Sequence, residues 1–155
     1  MALAHDAATL LLAREETLAV AESAAGGMIS AALLAVPGAS AWYLGGIVVY
    51  TGAARRLLAG VEPTPPGLRG ATEEFARYEA ATVAARLGAD WGLGETGAAG
   101  PAGNPYGDPP GHAWVAVHGP ATSTRRIATG LADRPANMAE FAASAIEDLV
   151  AALRR

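Results

Sequence analysis

The run Thr17-Leu18-Ala19-Val20-Ala21, followed at once by Glu22-Ser23-Ala24-Ala25-Gly26-Gly27, most limits what this chain can fold into. Five consecutive apolar or β-branched positions without a 3.6-residue period leave no solvent face, so the run predicts a strand buried on both sides. Such a strand needs a layer above and a layer below, which selects an α/β architecture over a bundle or a one-sided sheet.

The flanking segments supply those layers. Leu3 to Arg14, with Leu3, Leu10, Leu11 and Leu12 among alanines, predicts a helix with leucines toward a core. A second helix is expected from Gly27 to about Ala35, stopped by Val36-Pro37-Gly38, because proline disfavours the α region in the residue before it. Tyr43 to Tyr50 reads as a strand, and Thr51 to Gly60 as a short helix ended by glycine ahead of the stiff loop Pro63-Thr64-Pro65-Pro66-Gly67. Thr72-Glu73-Glu74-Phe75 has the cap and first-turn acids of a helix start, running to about Leu87, with a strand from Asp90 to Thr96. Ala113 to His118 and Ser123 to Ala128 predict a hairpin through Gly119-Pro120. Asp133 to Arg155 closes the chain as an amphipathic helix with Met138, Phe141, Ile146, Leu149 and Leu153 on one face. The expected fold is therefore α/β: one domain over residues 1–155, a mixed β-sheet covered by helices in α/β/α layers.

Composition excludes several functions. With no cysteine there is no thiolate nucleophile or thiolate metal site, and His5, His112 and His118 lack metal-ligand spacing, so no metal is expected. A net charge of -4 with scattered arginines argues against a nucleic-acid partner. No stretch approaches the roughly 20 apolar residues of a membrane span. The N-terminus lacks the basic region of an export signal, which points to the cytoplasm. All 11 basic residues are arginine, and lysine is absent.

Two segments are candidates for chemistry. Ser23 lies between the buried strand and a helix start, where outward-facing N–H groups would form an oxyanion hole beside a hydroxyl nucleophile, or where the serine would simply cap the helix. Gly97 to Gly111 is too rich in glycine and proline for a regular element, and a segment of that length inside a domain is usually functional. Its glycines and Gly26-Gly27 have the composition of an anion cradle, although neither the Walker A nor the Rossmann pattern occurs. The residues around Ser23 also lack the G-x-S-x-G elbow of a Ser-His-Asp hydrolase.

Ala21-Glu22-Ser23-Ala24-Ala25-Gly26-Gly27, Val36-Pro37-Gly38-Ala39-Ser40, Gly45-Gly46-Ile47-Val48-Val49-Tyr50 and Thr96-Gly97-Ala98-Ala99-Gly100-Pro101, in that order, resemble the CinA C-terminal domain family. The resemblance covers about Leu10 to Leu153. It implies hydrolysis of the carboxamide of nicotinamide mononucleotide to nicotinic acid mononucleotide and ammonia, with a serine nucleophile, no cofactor, and a homo-oligomer. Carried over, Ser23 matches the serine of A-E-S-C-T-G-G and Tyr50 opens Y-S-N-x-x-K, whose lysine falls on Arg55 and whose asparagine falls on Gly52. The implied catalytic residues are Ser23, Tyr50 and Arg55. The implied substrate contacts are Gly26, Gly27, Thr51, Gly97, Gly100, Pro101, Gly103 and Asn104, with Ala102 between them. A guanidinium stays protonated, so Arg55 is not a general base; the roles open to it are holding Tyr50 as a phenolate or binding the phosphate. Asp108 stands where relatives often carry lysine. The alternatives are a catalytically impaired member acting as a nucleotide-binding or assembly module, and a hydrolase of another amide.

Overall fold

The computed structural model describes residues 2–60 and 64–155. Pro63 of the expected proline loop lies outside the described residues.

Five strands form one mixed sheet in the order β2-β1-β3-β4-β5. The expected central strand is β1 (Leu18–Glu22), parallel both to β2 (Tyr43–Val48) and to β3 (Trp91–Ala98). The expected hairpin is β4 (His112–His118) with β5 (Ser123–Ala128), antiparallel to each other, with β4 also antiparallel to β3. All five residues of β1 are buried, as a strand without a solvent face requires. Leu18 and Val20 join the larger core beneath α1 (Ala2–Arg14), α2 (Met28–Leu34) and α5 (Arg134–Leu153). Ala19 and Ala21 face the other layer, packing with Leu58 of α3 (Gly52–Ala59) and Val83 of α4 (Glu73–Leu87).

The α4 layer sits unusually close to the sheet. A Cβ added at Gly92 would lie 1.9 Å from the Ala80 carbonyl oxygen, and one at Gly94 would lie 2.2 Å from that of Ala76. Alternate glycines on one face of β3 therefore let helix backbone touch strand backbone, while Trp91 and Leu93 fill the core on the other face. Thr72 caps α4 as its sequence predicts, accepting from the Phe75 N–H at 3.2 Å.

Several expectations need correction. The buried face of α1 is Ala4, Ala7, Ala8 and Leu11, an i, i+3, i+4, i+7 stripe of small residues that closes on α5, whereas Leu12 is exposed. That alanine face is engaged within the chain and is not free for a partner. β2 ends at Val48, so Tyr50 is past the strand rather than at its end. β3 continues through Gly97 and Ala98, which places Gly97 in the sheet, where a Cβ would come within 2.6 Å of Ala113. The 3-10 turn at Ala39–Ala41 had no sequence signal. Among the described residues no helix is long and apolar enough to cross a membrane.

Candidate active site

The β1–α2 loop is organised by two buried carboxylates that sit side by side in the parallel register, Glu22 opposite Glu95. Glu22, the last residue of β1, accepts the N–H groups of Gly27 at 2.9 Å and of Ile29 and Ser30 at 3.0 Å, and the Ser30 hydroxyl at 2.6 Å. It thereby fills the N-terminus of α2. Glu95 accepts the Ser23 N–H at 3.0 Å and the Ala25 N–H at 2.8 Å through Oε2. The Gly26 and Met28 N–H groups turn back onto the Ser23 and Ala25 carbonyls. The outward-facing donors expected for an oxyanion hole are thus directed inward, because the end of β1 and the adjoining position of β3 bring carboxylates to a loop rich in N–H groups. Gly26 and Gly27 adopt positive φ at the turn and do not line the cavity described below.

Ser23 is not the helix cap. That position is Gly27, with no side-chain cap, and the half-buried Ser23 hydroxyl makes no hydrogen bond among the described residues.

A cavity of about 330 Å³ opens beside this loop, lined by Ala24, Tyr50, residues 97–105 and Arg134. It gathers Tyr50, Gly97, Gly100, Pro101, Gly103 and Asn104 of the sequence-derived set, with Ser23 one residue from its Ala24 wall. Thr51 instead caps α3, its hydroxyl accepting the Ala54 N–H at 3.3 Å. The charged side chain of the lining is Arg134, which sequence reasoning passed over. Its Nη1 donates to the Gly100 carbonyl at 2.8 Å and its Nη2 to the Tyr50 hydroxyl at 3.2 Å. The signal was Asp133-Arg134-Pro135: Asp133 caps α5 by accepting the Ala136 N–H at 3.0 Å, and side chains in a first turn lean back beyond the helix start.

The glycine-rich loop is held from within and from outside. Asn104 accepts the Tyr106 and Asp108 N–H groups at 3.0 and 3.1 Å and donates to the Asp108 carboxylate at 2.8 Å, so its amide shapes the loop. Asp108 does not line the cavity; it pairs with Arg69 at 2.8 Å. The Arg69 guanidinium hydrogen-bonded to Asp108 holds that carboxyl below its ordinary range, with the Asn104 amide assisting. Arg69 also lies 4.9 Å over the Tyr106 ring. At the loop base the buried Asn137 donates to the Ala99 and Leu131 carbonyls at 2.8 and 2.9 Å.

Arg55 is not the companion of Tyr50 that the motif implies. Its guanidinium stacks 4.3 Å over Phe75 of α4, with Nε buried and without a hydrogen bond, and it does not line the cavity. Its field reaches Glu79, a fully buried carboxyl with no hydrogen bond to either oxygen. Burial, followed by the nearby Glu95 charge, pushes Glu79 well above the usual range, against the pull of Arg55. Burial pushes Glu95 up to about 7, opposed by the Ala25 and Ser23 N–H groups. Sequence reasoning missed Glu79 and Glu95 and gave Glu22 no role. The available signal was an acid within each of two otherwise apolar or glycine-rich strands, Glu22 at the end of β1 and Glu95 inside β3.

Among the described residues no three acidic or histidine side chains group to hold a metal ion. A family model described as the CinA C-terminal domain matches residues 1–153. The chain is 42% identical over 112 residues to a CinA-like protein of Prochlorococcus marinus, covering 72% of this chain and 26% of that one. It is 43% identical over 126 residues to a CinA-like protein of Gloeobacter violaceus, covering 81% of this chain and 29% of that one. It therefore spans between a quarter and a third of the length of these curated relatives. Among solved structures it matches the competence damage-inducible protein A of Klebsiella pneumoniae subsp. pneumoniae with a TM-score of 0.89 at 30% identity, covering 99% and 96% of the two chains. It matches a competence/damage inducible protein of Agrobacterium tumefaciens with a TM-score of 0.88 at 28% identity, covering 99% and 94%.

Proposed function

The chain belongs to the CinA C-terminal domain family, and from that premise we propose that it hydrolyses the carboxamide of nicotinamide mononucleotide, releasing ammonia and nicotinic acid mononucleotide. The observation that carries the reading is the cavity: a pocket of small-molecule size whose lining carries one guanidinium, that of Arg134, and no carboxylate. An anionic nucleotide meets a complementary charge there and no repulsion from the walls.

The Ser23 hydroxyl, free of intramolecular hydrogen bonds and adjacent to the cavity wall, attacks the amide carbon, its proton passing to the departing amide nitrogen. Ammonia leaves, and water then releases the acid from the acyl-serine. Arg134 holds the phosphate with the Tyr50 hydroxyl hydrogen-bonded beside it, and residues 97–105 supply the backbone surface against the rest of the nucleotide. No metal or organic cofactor enters these steps. A cytoplasmic location and a homo-oligomer are part of the same proposal; light scattering would test the latter by returning more than one chain mass.

Ammonia release from nicotinamide mononucleotide, measured beside a Ser23→Ala variant, tests the reading. Release that disappears in Ser23→Ala supports it, and equal release from both proteins refutes it. Tight binding of the nucleotide without any release identifies a binding module instead.

A further inference from the structure

Resting on the reading of Ser23 as nucleophile, we propose that Glu95 is the positioning residue of the Ser23 loop, the group through which that loop's hydrogen bonding responds to proton concentration. The geometry is a bracket. One oxygen of Glu95 takes the N–H groups of Ser23 and Ala25, the two residues either side of the Ala24 that forms the cavity wall. Its other oxygen, Oε1, is buried and has no hydrogen bond. The Gly27, Ile29 and Ser30 N–H groups go to Glu22 and those of Gly26 and Met28 to loop carbonyls, while the Ala24 N–H also favours the Glu95 carboxylate, so the Ser23–Ala25 backbone is tied down through Glu95.

The surroundings of Glu95 decide its charge. β1 presents Glu22 beside it, α4 presents Glu79, and Arg55 of α3 acts through Glu79. β4 sets the apolar Val115 opposite it, and the charge at the start of α5, Arg134, is turned toward the cavity. Complete burial, and after it the Glu22 charge, oppose a negative charge on Glu95 that the backbone N–H groups of Ala25, Ser23 and Ala24 stabilise, and the balance falls at about 7. Protonation converts two charge-assisted bonds into neutral ones of roughly half the strength, which loosens the grip on Ser23. The carboxylate form is the one that holds the loop, so turnover rises through neutral pH.

The first test needs no substrate. In 15N-labelled protein titrated from acid to alkaline pH, the Ser23 and Ala25 amide resonances move together with a midpoint near neutrality. The Gly27, Ile29 and Ser30 amides, bonded to Glu22, serve as the comparison. Flat Ser23 and Ala25 resonances overturn the proposal, as does the same midpoint in Glu95→Gln. The wild-type titration stands by itself should that variant not fold, and Glu95→Asp, which keeps the carboxylate, restores a titration. In the active protein kcat follows the same midpoint, and Glu95→Gln loses that limb with about a tenfold drop in kcat and little change in KM; a change confined to KM overturns the positioning role. Absence of ammonia release would defeat the proposed function while leaving the amide titration to decide this point.

Discussion

Replacing Arg134 by glutamine removes the charged side chain of the cavity lining, and its cost is readable from what that arginine already does. Two of its N–H groups are engaged by Gly100 and Tyr50, and the others remain for a ligand. A charge-assisted hydrogen bond to a phosphate is worth about 1.5–3 kcal/mol, and a cavity open to solvent belongs at the lower end of that range. The expected loss for nicotinamide mononucleotide is about 1.5 kcal/mol, roughly a tenfold rise in KM or in the Kd measured by calorimetry. Nicotinamide riboside, which lacks the phosphate, serves as the comparison and should change by less than about twofold. Arg134→Lys should recover part of the loss, because it restores the charge without the paired donors. Equal losses for nucleotide and riboside would refute the reasoning, since they would show that Arg134 only braces the loop at Gly100.

Stability should fall as pH rises from 4.5 to about 7, the interval over which the unfolded chain has released the Glu95 proton that the folded chain retains. Glu95 alone accounts for about 3 kcal/mol of that fall; Glu79 adds to it in the same direction, and the loss persists at higher pH. Asp108 and Asp90, both held low, act with the opposite sign at more acidic pH, where their contribution is lost as pH decreases. Urea midpoints at pH 5 and pH 8 with an unchanged m-value measure the difference, and a higher midpoint at pH 8 contradicts it. Gly94→Ala places a methyl 2.2 Å from the Ala76 oxygen and 2.8 Å from the Ala80 nitrogen, so α4 must lift; about 2–3 kcal/mol is lost, and an unchanged melting temperature would disprove the contact. Arg55→Met should cost about 1 kcal/mol from the lost stacking on Phe75 and leave the KM for the nucleotide unchanged, whereas a large KM effect would return Arg55 to the substrate.

The layered fold was legible because its signals are local. An unbroken apolar run marks a two-sided strand, Thr72 with two acids marks a helix start, and Gly119-Pro120 between β-branched runs marks the hairpin. The leucines of α1 were a partial guide: Leu11 is buried and Leu3 and Leu10 pack against the core, but Leu12 is exposed, and the stripe at 3–4 spacing marks the buried face. In the site, Tyr50 and the glycine-rich loop were visible as motif and composition. Arg134 was not, since only the packing of α5 reveals which end of that helix abuts residues 97–105. The inward turn of the Ser23 loop was hidden for a similar reason. Glu22 and Glu95 lie 73 residues apart in the numbering and become neighbours only through the register of β1 with β3.

That inward turn changes what kind of recognition the cavity offers. An anion bound at a helix start is held by a fixed array of dipoles that cannot move aside. Here the dipoles of α2 are neutralised from within, and the positive field of the cavity lining comes from one long side chain hinged at the first residue of α5. In the proposed reading an anion is therefore met by a single guanidinium braced on Gly100 and Tyr50 rather than by a helix start. Such a site discriminates weakly among anions by shape and strongly by reach.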